Sequence, residues 1–358
     1  MRIPLMIIFV IMFMLTSCAG SGSDKRGDIS SGGVSDVPRL TEQKESAGAS
    51  SDSVGQEVEN LQKSESVTAD TTVGEVLAIP AFENFGRLLF PVDRTVFDDM
   101  TLEEVSTSSV YVWYTNIKSE KTVEIINSLK DSAESGQRIF YPIYTQEDIA
   151  SDPTKADTGL FFFKGSPGEK FAVVNAGGGF MYVGAMHDSF PHALELSKMG
   201  YNAFALIYRP DHPYEDLAQA IAFIYDNSEE LEVDPDDYSL WGGSAGARMA
   251  ATLGSGDYGM SYFGRPDIPD ACAVIMQYTG YSYASSSDAP TYACVGTNDG
   301  IANWRVMQNR LDELDSYGIP TEFHKYEGLE HGFGLGTGTA AEGWIDGAAA
   351  FWESNSDK

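Results

Sequence analysis

Ser244, Asp299 and His331 are the side chains of this sequence whose types and order suit them to activate a hydroxyl. Ser244 lies in LWGGSAGARMAA (residues 240–251), where Gly242, Gly243 and Gly246 crowd the junction of a strand-like and a helix-like run. Glycine at that density weakens either element, so the stretch is either an ordinary tight turn or a turn that must hold its serine exposed. A serine hydroxyl is a poor nucleophile until a base takes its proton during attack. Imidazole titrates near neutrality, so it can accept that proton and return it to a leaving group. A carboxylate on the far ring nitrogen fixes the tautomer and stabilises the imidazolium. Asp299 follows the apolar run TYACVG and His331 follows FHKYEGLE, so all three stand after strand-like segments. The competitors are worse placed. Asp288 precedes its strand, Asp312 is inside a helix, and Asp216 is a helix-start residue. His187 and His192 flank a packing helix, His212 is in a loop, and His324 is within a strand.

A fourth element is NAGGGF (residues 175–180), which ends another strand-like run. Its three glycines are either a flexible loop or, as the resemblance given below implies for Gly178 and Gly179 together with Ala245 at the start of the nucleophile helix, N–H donors to an oxygen that gains negative charge. Removing one such donor costs about 3 kcal/mol of transition-state stabilisation.

The elements that must hold these groups alternate. Strands are expected in RIFYPIY, GLFFFKG, KFAVVN, YNAFALIY, DYSLWG, AVIMQY, PTYACVG and TEFHKYEG. Between them lie helix patterns over 187–199, stopped by Gly200, over EDLAQAIAFIYDNSEEL, AGARMAATL and IANWRVMQNRLDELDSYG, and finally AEGWIDGAAAFWE. Strands apolar throughout, alternating with helices, imply an α/β fold: a mostly parallel sheet with helices on both faces. Such sheets gather catalytic groups at the C-terminal ends of their strands. This core covers 158–358, and residues 73–157, with the helix pattern EKTVEIINSLKDSAESG, form an N-terminal elaboration upon it.

From about Val73 onward the chain resembles the α/β-hydrolases of the esterase/lipase group, close to the hormone-sensitive-lipase-like and carbohydrate-esterase (acetyl xylan and feruloyl esterase) branches. The resemblance is carried by YRPDHPYEDLAQAIAFI, VDPDDYSLWGGSAG, GTNDG and LEHGFG, in that order, and by NAGGGF at the place of the family's oxyanion glycines. It implies a catalytic Ser244, Asp299 and His331, an oxyanion hole from Gly178, Gly179 and Ala245, and ester hydrolysis without metal or organic cofactor. The histidine usual before the triple glycine is Ala176 here, which leaves the loop's supporting hydrogen bond either missing or made by Asn175. The same triad also suits a serine peptidase, and a binding lipoprotein with a silent hydrolase fold is the non-catalytic alternative.

The N-terminus reads as a targeting signal over 1–17: Arg2, an apolar run too short to span a bilayer comfortably, then LTSC at 15–18. LTSC resembles a bacterial lipobox, which implies lipidation of Cys18 and an extracytoplasmic, membrane-anchored protein. Residues 18–72, rich in Ser, Gly, Asp and Glu, are expected to be a disordered tether. The formal charge of −30 repels phosphate backbones and argues against nucleic acid as a partner. Cys272 and Cys294 are too few for a disulfide framework and are expected as buried thiols, and no Cys or His pair has zinc-ligand spacing. A small-molecule or glycan ester is the expected partner, and composition sets no oligomeric state.

Overall fold

The computed structural model describes residues 32–40 and 65–356. The signal over 1–17, Cys18 and tether residues 19–31 and 41–64 lie outside the described residues. Eight strands form one sheet: β1 Phe140–Tyr141, β2 Gly159–Phe163, β3 Lys170–Asn175, β4 Asn202–Ile207, β5 Asp234–Gly243, β6 Ala273–Gln277, β7 Thr291–Gly296 and β8 Thr321–Tyr326. Their order is β1-β2-β4-β3-β5-β6-β7-β8. The pairs from β4 to β8 are parallel, and β1–β2 and β2–β4 are antiparallel. Every strand expected from the sequence is present. The turn between β2 and β3 does not make them partners, however. β4 takes the place between them, and the rings of Phe162 and Phe204 stack across β2 and β4 with centroids 4.3 Å apart.

The described helices are α1 Val73–Leu77, α2 Leu102–Thr107, α3 Ser119–Glu134, α4 Gln146–Ser151, α5 Ser189–Lys198, α6 Pro213–Asp226, α7 Ser228–Leu231, α8 Ala245–Leu253, α9 Trp304–Ser316 and α10 Trp344–Asn355. α5 packs on β3 and β4 and touches α10; α8 lies across β3, β5 and β6 and touches α6. β2, β3, β4, β6 and β7 are buried along their whole length, and β5 from Tyr238 onward, as a sheet covered on both faces requires. Gly200 and Gly318 follow α5 and α9 with φ of 104° and 81°, a left-handed backbone that favours glycine.

Within the stretch expected as a tether, the described residues 32–40 and 65–72 are placed against the domain. Thr72 and Glu75 close a capping box at α1, and Thr101 and Glu104 close another at α2. Val67 is buried, and its N–H and C=O both bond to the Asn127 amide on α3. Residues 32–40 are seated on the core. Val34 N–H donates to Phe263 C=O at 3.0 Å, Ser35 N–H to Gln219 Oε1 at 2.9 Å and Leu40 N–H to Asn227 Oδ1 at 3.0 Å. Backbone groups need partners once out of water, and Gln219 and Asn227 on the α6 side supply them. Composition cannot reveal such partners, because they are nearly two hundred residues away in sequence.

Asp216, in the first turn of α6, is fully buried. It accepts from Arg209 Nη2 at 2.7 Å, Arg209 N–H at 2.6 Å and Tyr144 Oη at 2.6 Å. It thus ties β4, α6 and the N-terminal elaboration together, in keeping with a structural role. Asp288 is likewise structural, paired with buried Arg310 at 2.6 Å. Cys294 is buried, whereas Cys272 is only half-buried, with Sγ 2.9 Å from Asp237 C=O. Burial pushes the Cys272 thiol up to about 11. Removing one partner of a buried ion pair leaves the other uncompensated, so Asp216→Ala is expected to lose about 3 kcal/mol of stability. Asp267→Ala, at an exposed pair with Arg265, should lose less than about 1 kcal/mol. Urea denaturation midpoints of the two variants check the contrast.

Candidate active site

Ser244 sits between the end of β5 and the first residue of α8 with φ 52° and ψ −112°, outside the ordinary regions for a residue with a Cβ. The glycines make that junction possible by close approach. A Cβ on Gly242 would stand 2.2 Å from the Gly246 carbonyl carbon, and one on Gly246 would stand 2.0 Å from Asn175 C=O. The end of β3, the end of β5 and the start of α8 are thereby pressed together. Asn175 faces Gly242 in the β3–β5 register, and Ser244 N–H donates to Gln277 C=O at 2.9 Å.

The three sequence-expected residues meet at this point. His331 Nε2 is 3.1 Å from Ser244 Oγ, and His331 Nδ1 is 2.8 Å from Asp299 Oδ2. The second Asp299 oxygen accepts from Ile301 N–H at 2.8 Å and Ala302 N–H at 2.7 Å. With its side chain fully buried and both oxygens engaged, Asp299 is fixed in place. A carboxylate on Nδ1 sets the ring proton there and leaves the Nε2 lone pair toward the serine hydroxyl. The remaining histidines are elsewhere. Buried His192 lies edge-on to Trp344, and burial pushes His187 down to about 3, so it is neutral.

The glycine loop lies beside them. Gly177 N–H donates to Asp188 Oδ2 at 2.8 Å. Among the described residues, the N–H groups of Gly178, Gly179 and Ala245 donate to no atom, and so are free for a ligand oxygen. Gly178, Gly179 and Phe180 all have positive φ, at 131°, 64° and 55°. Asn175 does not support this loop. Its Nδ2 bonds Trp241 C=O at 2.9 Å and its Oδ1 has no partner. The supporting bond comes from Asp188.

Several residues near the site are invisible to sequence reasoning. Thr115 N–H donates to Gly332 C=O at 2.9 Å and its Oγ1 to His331 C=O at 2.8 Å. Tyr114 Oη donates to Asp188 Oδ2 at 3.0 Å, and a Cβ on Gly179 would stand 3.0 Å from the Trp113 ring. The N-terminal elaboration therefore forms one wall. Nothing in residues 113–115 marks them, because their partners lie up to 217 positions later. Tyr182 and Phe333 are buried packing residues, while half-buried Phe180 abuts Tyr208 and Tyr214. The Trp304 ring is covered by Arg305 and Lys325, and Arg248 Nε bonds Tyr214 Oη at 3.1 Å. No group of three or more His, Cys, Asp or Glu among the described residues could hold a metal ion.

A mostly parallel sheet of this order, with a serine elbow after β5, an acid after β7 and a histidine after β8, is the α/β-hydrolase fold, and the chain is similar in fold to solved hydrolases of that architecture. The family described as BD-FAE matches residues 166–260, which include the glycine loop and the serine elbow. The chain is similar to an acetylxylan esterase of Xylanibacter ruminicola, 23% identical over 227 residues, covering 52% of this chain and 45% of that one. It thus spans about half the length of that curated relative. Among solved structures it is similar to an acetyl ester-xyloside bifunctional hydrolase from Caldicellulosiruptor lactoaceticus. The TM-score is 0.52 at 22% identity, covering 60% of this chain and 95% of the other.

Asp299 Oδ2, 2.8 Å from His331 Nδ1, is placed to orient that ring. Asp299→Asn is expected to slow covalent labelling of Ser244 by a fluorophosphonate by about 10,000-fold, since an amide favours the wrong tautomer. Glu330→Gln, at an exposed position next to His331, should stay within about twofold of wild type, because an exposed charge is well screened. Labelling rates of the two variants check both.

Proposed function

We propose that this chain hydrolyses carboxylic esters through an acyl intermediate on Ser244, and that its substrates are short-acyl esters of carbohydrates. The observation that carries the reading is the continuous chain Asp299–His331–Ser244 beside three unclaimed N–H groups. Ser244 Oγ attacks the ester carbonyl while its proton passes to His331 Nε2. The carbonyl oxygen becomes an oxyanion that accepts from Gly178, Gly179 and Ala245. As the tetrahedral intermediate collapses, His331 gives the proton to the departing alcohol oxygen and the acyl group remains on Ser244. Water then loses a proton to His331, attacks the acyl carbonyl, and the acid leaves as the proton returns to Ser244.

The carbohydrate part of the reading has two supports. One is the similarity to an acetylxylan esterase. The other is Trp113, a half-buried residue whose indole stands beside the oxyanion loop at Gly179 and whose backbone carbonyl abuts the histidine loop at Gly332. A flat apolar ring at the glycine loop suits the face of a sugar. The same reading puts the enzyme on the extracytoplasmic face of a bacterial membrane, held by lipid on Cys18. Thirteen residues, 19–31, separate Cys18 from the segment seated on the domain. Fully extended, they would span about 45 Å.

Purified protein is expected to release nitrophenol from nitrophenyl acetate, and Ser244→Ala to release none above background. Equal inertness of the two folded proteins across acetyl to butyryl esters would refute the reading. Trp113→Ala should raise KM for acetylated xylo-oligosaccharides about tenfold, the worth of one good aromatic contact. With nitrophenyl acetate it should stay within about twofold. In cells, palmitate incorporation should disappear in Cys18→Ser.

A further inference from the structure

We propose that Asp188 is a positioning residue for ester cleavage: one buried carboxyl group that sets the oxyanion loop and steadies the catalytic histidine. This rests on the ester-cleaving reading of Ser244.

Asp188 occupies the N-cap position of α5, where aspartate ordinarily accepts from the N–H groups of its own helix. Here its side chain makes no such bond. It turns instead toward the active site, fully buried, and gathers donors from three separate parts of the chain. Oδ2 accepts from Gly177 N–H at 2.8 Å and Tyr114 Oη at 3.0 Å. Oδ1 accepts from Tyr278 Oη at 3.2 Å and lies 3.6 Å from His192 Nδ1. Burial and the Asp188 charge both push the Tyr114 and Tyr278 phenols well up, so they remain protonated donors.

Each contact leads to a working part. The bond to Gly177 spends the first N–H of the glycine loop on support, and the next two, Gly178 and Gly179, are left free at the site. A Cβ on Gly177 would stand 2.9 Å from the Ser244 Cβ, so the supported residue lies directly against the nucleophile. The carboxyl also presses on Gly243, whose Cβ position is 2.5 Å from Oδ2; any larger residue before Ser244 would displace it. Tyr278, held by Oδ1, lies edge-on to the His331 ring with centroids 5.0 Å apart. It does so from a backbone φ of 33°, a strained value for a residue with a Cβ. Tyr114 brings the N-terminal elaboration to the same carboxyl. Asp188 therefore stands where the oxyanion loop, the elbow, the histidine and the N-terminal wall converge.

The test uses the full chain as wild type, Asp188→Asn and the double variant Tyr114→Phe/Tyr278→Phe. Turnover of nitrophenyl acetate is measured with the infrared stretch of the 13C-labelled acyl carbonyl on Ser244 after rapid mixing. That stretch falls as oxyanion donors bind the carbonyl. In Asp188→Asn the amide must point an N–H at donors. The expected result is a folded protein whose kcat is about 100-fold lower with KM within about threefold, and whose carbonyl stretch lies higher. A role in packing alone would lower the melting temperature and leave kcat and the carbonyl stretch of the folded protein at wild-type values; that result overturns the proposal. If Asp188→Asn does not fold, the double variant decides. It is expected to lose about tenfold in kcat with a raised stretch, for two buried hydrogen bonds removed, and wild-type values overturn the proposal. Wild type that neither turns over esters nor takes a fluorophosphonate would overturn the ester reading, and this proposal with it.

Discussion

The close approach of three backbone segments at Ser244 is the constraint on which the rest of the site depends. The ends of β3 and β5 and the start of α8 come within distances that a single Cβ at Gly242 or Gly246 would forbid. That crowding is what lets Ser244 hold φ of 52° with its Oγ toward His331 and the next N–H, Ala245, unclaimed. A strained residue persists only where its surroundings over-determine it. Here the surroundings are the β3–β5 register and the bond from Ser244 N–H to Gln277 on β6.

The parts that surround the elbow are held by polar groups buried among aromatic residues. Asp299 has both oxygens engaged, and Asp188 accepts from one backbone amide and two phenols. A buried polar group left without partners is costly, so such nodes fold in one arrangement or not at all. Asp216 plays the same part further from the site, with Arg209 and Tyr144. In each case the partners come from different segments, and the N-terminal elaboration supplies one of them at both Asp188 and Asp216.

The N-terminal elaboration is thus part of the site rather than an addition to it. Thr115 bonds both the carbonyl of His331 and that of Gly332, and Trp113 lies along the glycine loop. Residues 32–40 extend the same pattern to α6, where Gln219 and Asn227 receive their backbone.

Residue type and local order were enough to place the strands, the main helices, the elbow at Ser244 and its partners Asp299 and His331. Those features are written locally: apolar runs of strand length, glycines at a junction, a polar residue after each strand. The strand order was not legible, because the turn between β2 and β3 does not say that β4 will lie between them. Nor were Asp188, Tyr114, Tyr278 and Thr115. Their neighbours along the chain are unremarkable, and their importance comes from partners 11 to 217 residues distant. Ala176 illustrates the division. Its identity announced that the glycine loop lacked a usual support, but only the packed chain could show that a carboxyl at the start of α5, rather than the adjacent Asn175, provides it. Hydrogen bonds over such separations depend on where the backbone has already gone, and that is settled by the packing of the sheet and its helices.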